Sequence, residues 1–460
     1  MFSKETYIQR REILKKNFNK GIILLSGNDE CGMNYADNTY HFRQDSNFLY
    51  YFGINVPGLY AVLDLNSGND IIFGNDYTID DIVWMGDMPS VESLAELSGI
   101  KKTAETKELK RYLGKPGEIL FLPPYRPEHQ IKLFQLLNIH PEEAAQKSSI
   151  PLAVAIAKQR NIKSAEEIIE IEKAVNTTVL MHKTAMQFAL PGMTEAQVAA
   201  KVTEIALAAG GQLSFPVIAT VNGQTLHNHF HGNILKEGQL FLLDAGAESP
   251  MGYAGDMSST FPVSRSFTPE QRDIYEVCFN AHNAAIEMLI PGVHFRDVHL
   301  NASRNIFDGL KNLGFTKGNT DDAVANGAHA LFFPCGLGHL MGLDVHDMEN
   351  LGEQWVGYNG QPKSKQFGLK SLRLGMELQT GHVLTIEPGI YFIPQLIDLW
   401  QKQKINTEFL NFDKINQFRN FCGLRNEVDV LITETGHRVL GEPLPKGVKD
   451  VEAHRAVAFG

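Results

Sequence analysis

The chain opens with a helix-like stretch. Ser3 is a suitable N-cap, Glu5 falls in the first turn, and Lys15, Lys16 and Lys20 gather ahead of Gly21. Gly21-Ile22-Ile23-Leu24-Leu25 follows as a short uninterrupted apolar run, the pattern of a buried strand. Similar runs span 59–65, ahead of the turn residues Asn66-Ser67-Gly68, then 71–73, and 119–122, which stops at Pro123-Pro124. Strands alternating with helical stretches predict a small α/β domain ending near residue 160.

A second unit starts at Ser164. Ser164-Ala165-Glu166-Glu167 is a capping box, and Ile168, Ile171, Val175 and Val179 follow at helical spacing. This helix stops before Pro191-Gly192. A second capping box, Thr194-Glu195-Ala196-Gln197, opens a helix that ends at Gly210-Gly211. The phrase then recurs. Thr268-Pro269-Glu270-Gln271 starts a helix that runs to Pro291-Gly292, and another helix follows to about Gly314. Helix, Pro-Gly, helix therefore appears twice, which predicts an internal duplication with strands after each helix pair.

The strands of this unit carry charge where burial favours apolar side chains. Gln239-Leu240-Phe241-Leu242-Leu243 ends in Asp244, and Gly255 leads into a second run that starts at Asp256. Between them lies the turn-like cluster Glu248-Ser249-Pro250-Met251-Gly252. A hairpin centred near residue 250 predicts that Asp244 and Asp256 face each other. Opposed carboxylates on neighbouring strands repel, more so once removed from water. Either one is protonated, or the hairpin is off register and solvated, or a cation lies between them.

Three more places favour the cation. The run 383–389 puts Glu387 at the end of an apolar strand. The run 424–432 is another strand, on which Arg425, Glu427 and Asp429 share one face at period two. The glycine-rich stretch 336–347 contains His339 and His346. Four carboxylates and one imidazole make a hard, oxygen-rich ligand set suited to Mn²⁺, Fe²⁺, Co²⁺ or Zn²⁺. Such a set can hold two ions ~3.5–4 Å apart.

Composition narrows the class. Of 460 residues, 43% are apolar and 21% charged, which is a globular balance. The net charge of −11 argues against nucleic-acid or anionic-membrane partners. No apolar run approaches the ~20 residues a membrane helix needs, and the charged N-terminal stretch does not read as a secretory signal. The four cysteines, Cys31, Cys278, Cys335 and Cys422, form no CxxC and fit free thiols in a reducing cytoplasm. The glycosylation patterns at Asn176 and Asn301 are therefore read as chance.

These residues, in this order and context, resemble the pita-bread metallopeptidases, and among them the Xaa-Pro aminopeptidases (aminopeptidase P). The resemblance is carried by Gly336-Leu337-Gly338-His339-Leu340-Met341-Gly342-Leu343-Asp344-Val345-His346-Asp347, by Glu387-Pro388-Gly389-Ile390-Tyr391 and by the strand around Glu427. His41-Phe42-Arg43-Gln44-Asp45-Ser46-Asn47-Phe48, running on to Tyr51-Phe52-Gly53, resembles the creatinase-type N-terminal domain of that family. The fold implied is an α/β creatinase-like domain over 1–163 and an α+β pita-bread catalytic domain over 164–460. The resemblance also implies two divalent ions, foremost Mn²⁺, with Co²⁺ or Zn²⁺ as alternatives. Asp244 would bind one, His339 and Glu387 the other, and Asp256 and Glu427 would bridge. Glu387 would also move a proton, His227 and His346 would face substrate, and Arg425 would stand beside the bridging glutamate.

The activity implied is removal of the N-terminal residue from peptides with proline second, by a cytoplasmic homo-oligomer (dimer or tetramer). The alternatives are an Xaa-Pro dipeptidase (prolidase) and a metal-free creatinase-like or peptide-binding relative. A methionine aminopeptidase shares the ligand set but leaves the N-terminal domain unexplained. The chain departs from the family at three places. Cys335 stands where the family usually has a histidine, Val428 follows Glu427 where it has an acid, and segments 353–380 and 395–420 are longer and more polar. Cys335 is read as an inert small residue and Tyr391 as a core aromatic. His227, His229 and His231 are not read as a separate zinc site, because only His227 fits the family site. Trp84 lies in a segment that resembles one found near a neighbouring subunit.

Overall fold

The computed structural model of the protein describes residues 1–114 and 117–460. The chain divides into two compact units, Met1–Arg160 with Met348–Trp355, and Asn161–Asp347 with Val356–Gly460.

The first unit is built on a five-stranded mixed sheet. Its strands are β1 (Ile22–Ser26), β2 (Tyr60–Asp64), β3 (Asn69–Phe73), β4 (Lys102–Ala104) and β5 (Ile119–Leu120), in the order β4-β3-β2-β1-β5. The apolar runs read from the sequence fall on β1, β2, β3 and β5, while β4 was not among them. Ile22, Leu24, Val62, Ile71 and Phe73 share a core with Leu109, Leu113 and Leu133 from the flanking helices. The 41–53 motif does structural work here. Gln44 Oε1 accepts the main-chain N–H groups of Asn28 and Asp45 at 2.7 and 2.9 Å. Asp45 caps the helix Ser46–Phe52, and Gly53 ends it at φ 67°. A side chain at Gly53 would also collide with the Tyr7 ring at 2.3 Å.

The second unit holds the two helix pairs. Capping boxes at Ser164, Thr194 and Thr268 open the helices Ala165–Phe188, Glu195–Ala208 and Pro269–Ile286, and the fourth helix is Phe295–Asn312. The two halves repeat each other in detail. Gly192 N–H bonds Leu235 O and Gly292 N–H bonds Leu378 O, each at 2.9 Å. Leu235 N–H returns to Met193 O, and Leu378 N–H returns to Val293 O, each at 2.8 Å. The same Pro-Gly turn is thus stapled to the same kind of extended segment twice, as a duplication requires.

The strands of this unit are β6 (Ile218–Thr220), β7 (Leu240–Ala245), β8 (Met257–Pro262), β9 (Val383–Ile386), β10 (Gly389–Tyr391), β11 (Gly423–Arg425), β12 (Val428–Ile432) and β13 (His437–Val439). They form the sheets β6-β7-β8, β13-β12-β9 and β10-β11. Two expectations change. The β7–β8 hairpin pairs Asp244 with Ser258 rather than with Asp256, because its turn is centred one residue later. That moves the register by two positions, so Asp256 stays on the face of Asp244. The run 424–432 is also two strands rather than one. β9 and β10 are interrupted at Glu387-Pro388, and β12 and β11 at Asn426-Glu427. Val428 pairs with Ile386 and Arg425 with Gly389, so the register carries across the gap and sets Glu387 opposite Glu427.

Candidate metal centre and active site

Each acidic residue sits where a strand begins, ends or breaks. Asp244 is near the end of β7, Asp256 lies just ahead of β8, and Glu387 and Glu427 occupy the two facing interruptions. His339 lies on an extended segment beside β9, with Thr385 N–H bonded to His339 O at 3.0 Å and Met341 N–H to Val383 O at 3.0 Å. Gly338 is required for this approach, since a Cβ there would meet Thr385 O at 2.0 Å. His339 Nε2 comes within 3.4 Å of Asp256 Oδ2 and 3.7 Å of Glu387 Oε1.

Arg425 ties the cluster together. Its guanidinium donates to Asp244 Oδ2, to Ser258 Oγ at 2.7 Å and to Tyr391 Oη at 2.8 Å. Ser258 Oγ in turn donates to Glu427 Oε2 at 2.7 Å. Tyr391 is fully buried, so the core reading of that residue describes it.

The protein groups leave negative charge unmet. Burial, then the charge of Asp244, pushes the Asp256 carboxyl up to about 8. Burial also raises Glu387, and raises Glu427 far above the usual carboxylate range with Asp256 and Glu387 adding to it. Carboxylates this close and this dry cannot all ionise without a cation. Asp256 Oδ1 is buried with no hydrogen-bond partner among the described residues. Asp256, His339 and Glu427 each offer a ligand atom, all within 4.8 Å of one another. These are hard oxygen donors with one imidazole, and they fit divalent cations of the Mn²⁺ to Zn²⁺ series.

A cavity of about 220 Å³ opens onto the cluster. All eight residues singled out from the sequence line it, namely Asp244, Asp256, His339, Glu387, Glu427, Arg425, His227 and His346. The His346 ring lies 4.2 Å from that of His339. Cys335 is also in the wall, and burial followed by the nearby Glu387 pushes its thiol up to about 12. It is protonated at neutral pH and a poor nucleophile. His231 turns away and bonds Val217 O at 3.0 Å, which leaves the three alternating histidines no common ligand geometry. His229, which the sequence reading set aside with His231, and Arg373, which it did not single out, line the cavity too. Arg373 belongs to the long 353–380 segment, whose extra length was the only signal of it.

An acid-rich cluster with one imidazole, set in a cavity between duplicated halves, defines a divalent-metal hydrolase. The description metallopeptidase family M24 matches residues 170–434, and the aminopeptidase P N-terminal domain matches residues 7–118. The chain belongs to metallopeptidase family M24, with the aminopeptidase P N-terminal domain ahead of its pita-bread domain. It is 31% identical to a "Probable Xaa-Pro aminopeptidase" of Talaromyces stipitatus, over 97% of this chain and 90% of that one. It is 29% identical to the human Xaa-Pro dipeptidase, over 94% and 88%. Proline aminopeptidase P II from Yersinia pestis matches with a TM-score of 0.83 and 27% identity, over 99% of this chain and 100% of that one. Zinc-substituted Escherichia coli aminopeptidase P in complex with product matches with a TM-score of 0.82 and 27% identity, over 99% of each. The chain is a metallopeptidase, its substrates are peptides, and the family implies a dinuclear divalent site.

Proposed function

We propose that the protein removes the N-terminal residue from peptides with proline in the second position, using two Mn²⁺ ions held by Asp244, Asp256, His339, Glu387 and Glu427. The observation that supports this reading is the convergence of those five side chains, with His227 and His346, on one cavity. When bound, the ions supply a water nucleophile at neutral pH and polarise the scissile carbonyl.

The chain's own residues do the rest. Glu387, in the cavity wall, takes the proton that the nucleophile sheds and passes it to the leaving nitrogen. That prolyl nitrogen has no N–H in the substrate, so the ring is recognised by shape. His346 and His227 donate to the oxygen that gains charge. Arg425 is a positioning residue that fixes Asp244 directly and Glu427 through Ser258. The protein works as a cytoplasmic homo-oligomer, and support for an assembly comes from the surface helix Ile79–Met85, where Trp84 is 86% exposed.

Arg373 favours a second reading. A cation in the cavity wall suits the free carboxylate of a dipeptide, as in an Xaa-Pro dipeptidase. Rates on Gly-Pro and on longer Xaa-Pro-Xaa peptides, each with Mn²⁺, Co²⁺ and Zn²⁺, separate the two. Faster cleavage of the longer peptides with Mn²⁺ is expected. Turnover confined to the dipeptide would establish the second reading.

A further inference from the structure

Asp429 and Lys446 line no part of the cavity, yet both act on the main chain of the carboxylates around it. Asp256 stands just outside the β7–β8 ladder, whose last pair is Ala245 with Met257. Its N–H therefore lacks a strand partner and must be satisfied elsewhere. Asp429 Oδ2, on β12, accepts it at 3.0 Å. Glu427, two residues before Asp429, sits in the gap between β11 and β12. Its carbonyl oxygen accepts from the Lys446 ammonium, and its N–H bonds Ser258 O at 3.0 Å.

An amide N–H asks only for an acceptor, and a hydroxyl or a side-chain amide would serve. Placing a carboxylate there is costly, because Asp429 is fully buried and its Oδ1 has no partner among the described residues. Lys446, nine-tenths buried, supplies a nearby positive charge that offsets part of that cost, and Tyr275 Oη donates to the Lys446 main-chain oxygen at 2.8 Å.

We infer that Asp429 and Lys446 form a main-chain clamp that sets the spacing of the Asp256 and Glu427 carboxylates and so governs metal capture. They are positioning residues. Second-layer partners of this kind typically change metal affinity by about 10–100-fold. The inference rests on the metal reading above.

Mn²⁺ titration calorimetry on the apo protein tests it, with circular dichroism as the folding control. Asp429→Ala should weaken Mn²⁺ binding by about 10-fold or more, and Asp429→Asn, which keeps an acceptor, should restore most of it. Lys446→Met should weaken binding to a similar degree, and it carries the test if Asp429→Ala does not fold. Wild-type affinity and stoichiometry in folded Asp429→Ala or in Lys446→Met would overturn the clamp. Failure of the wild-type protein itself to bind Mn²⁺ would overturn the metal reading, and the clamp with it.

Discussion

His339 Nε2 lies 3.4 Å from Asp256 Oδ2, so the imidazole in the cavity wall and the carboxylate ahead of β8 offer neighbouring ligand atoms. Neither gains a firm hydrogen bond at that distance. Their approach makes chemical sense when both turn lone pairs toward a common cation. Asp256→Ala should therefore abolish peptidase activity and lower the bound metal, read by turnover and elemental analysis. Full turnover with two ions retained would refute this role.

Arg373 offers the test of substrate length. If its guanidinium holds a free C-terminal carboxylate, Arg373→Ala should raise KM for Xaa-Pro dipeptides by about 10-fold or more, the loss of one charge-assisted bond, and leave tripeptides little changed. Equal effects on both lengths would remove Arg373 from carboxylate recognition.

Cys335 is in the cavity wall, but its thiol is held protonated. Cys335→Ser should keep kcat within a few-fold of wild type, because no covalent step passes through sulfur. Cys335→His adds a strong donor beside the cluster, and its effect should fall mainly on KM. Complete loss of activity in Cys335→Ser, with metal still bound, would contradict this.

Buried histidines make the fold acid-sensitive, and His299 and His329 are the clearest. Both are buried, their ring centroids lie 6.2 Å apart, and no ring nitrogen of either has a partner among the described residues. Burial lowers His299 to about 3 and His329 to about 4 from an ordinary 6.5. Below the ordinary value the unfolded chain takes up protons that the folded rings refuse. Stability is therefore intact above about pH 7 and falls as pH drops toward the folded values, by about 1.4 kcal/mol per pH unit for each ring. Urea midpoints at about pH 7 and pH 5 should show this, and His299→Leu should flatten the slope. An unchanged slope would mean that His299 does not drive it.

Much of this was legible in the sequence because capping boxes, apolar runs and Pro-Gly pairs act locally. Ser164, Thr194 and Thr268 cap as their spacing requires. The facing of Asp244 and Asp256 was placed two register positions off, since a five-residue turn-like cluster does not state its own centre. The error kept the face, because side chains alternate with period two. The strand break at Asn426-Glu427 was hidden, as the run 424–432 read as continuous, whereas Glu387 was already placed at a strand end. Lys446 and Arg373 reach the site only through tertiary packing, which no local pattern encodes.

Anomalous diffraction from crystals grown with Mn²⁺ addresses the central claim most directly. Two manganese peaks ~3.5–4 Å apart, ringed by Asp244, Asp256, His339, Glu387 and Glu427, are the predicted result. Absent peaks at that position, with these side chains splayed from one another, would contradict it.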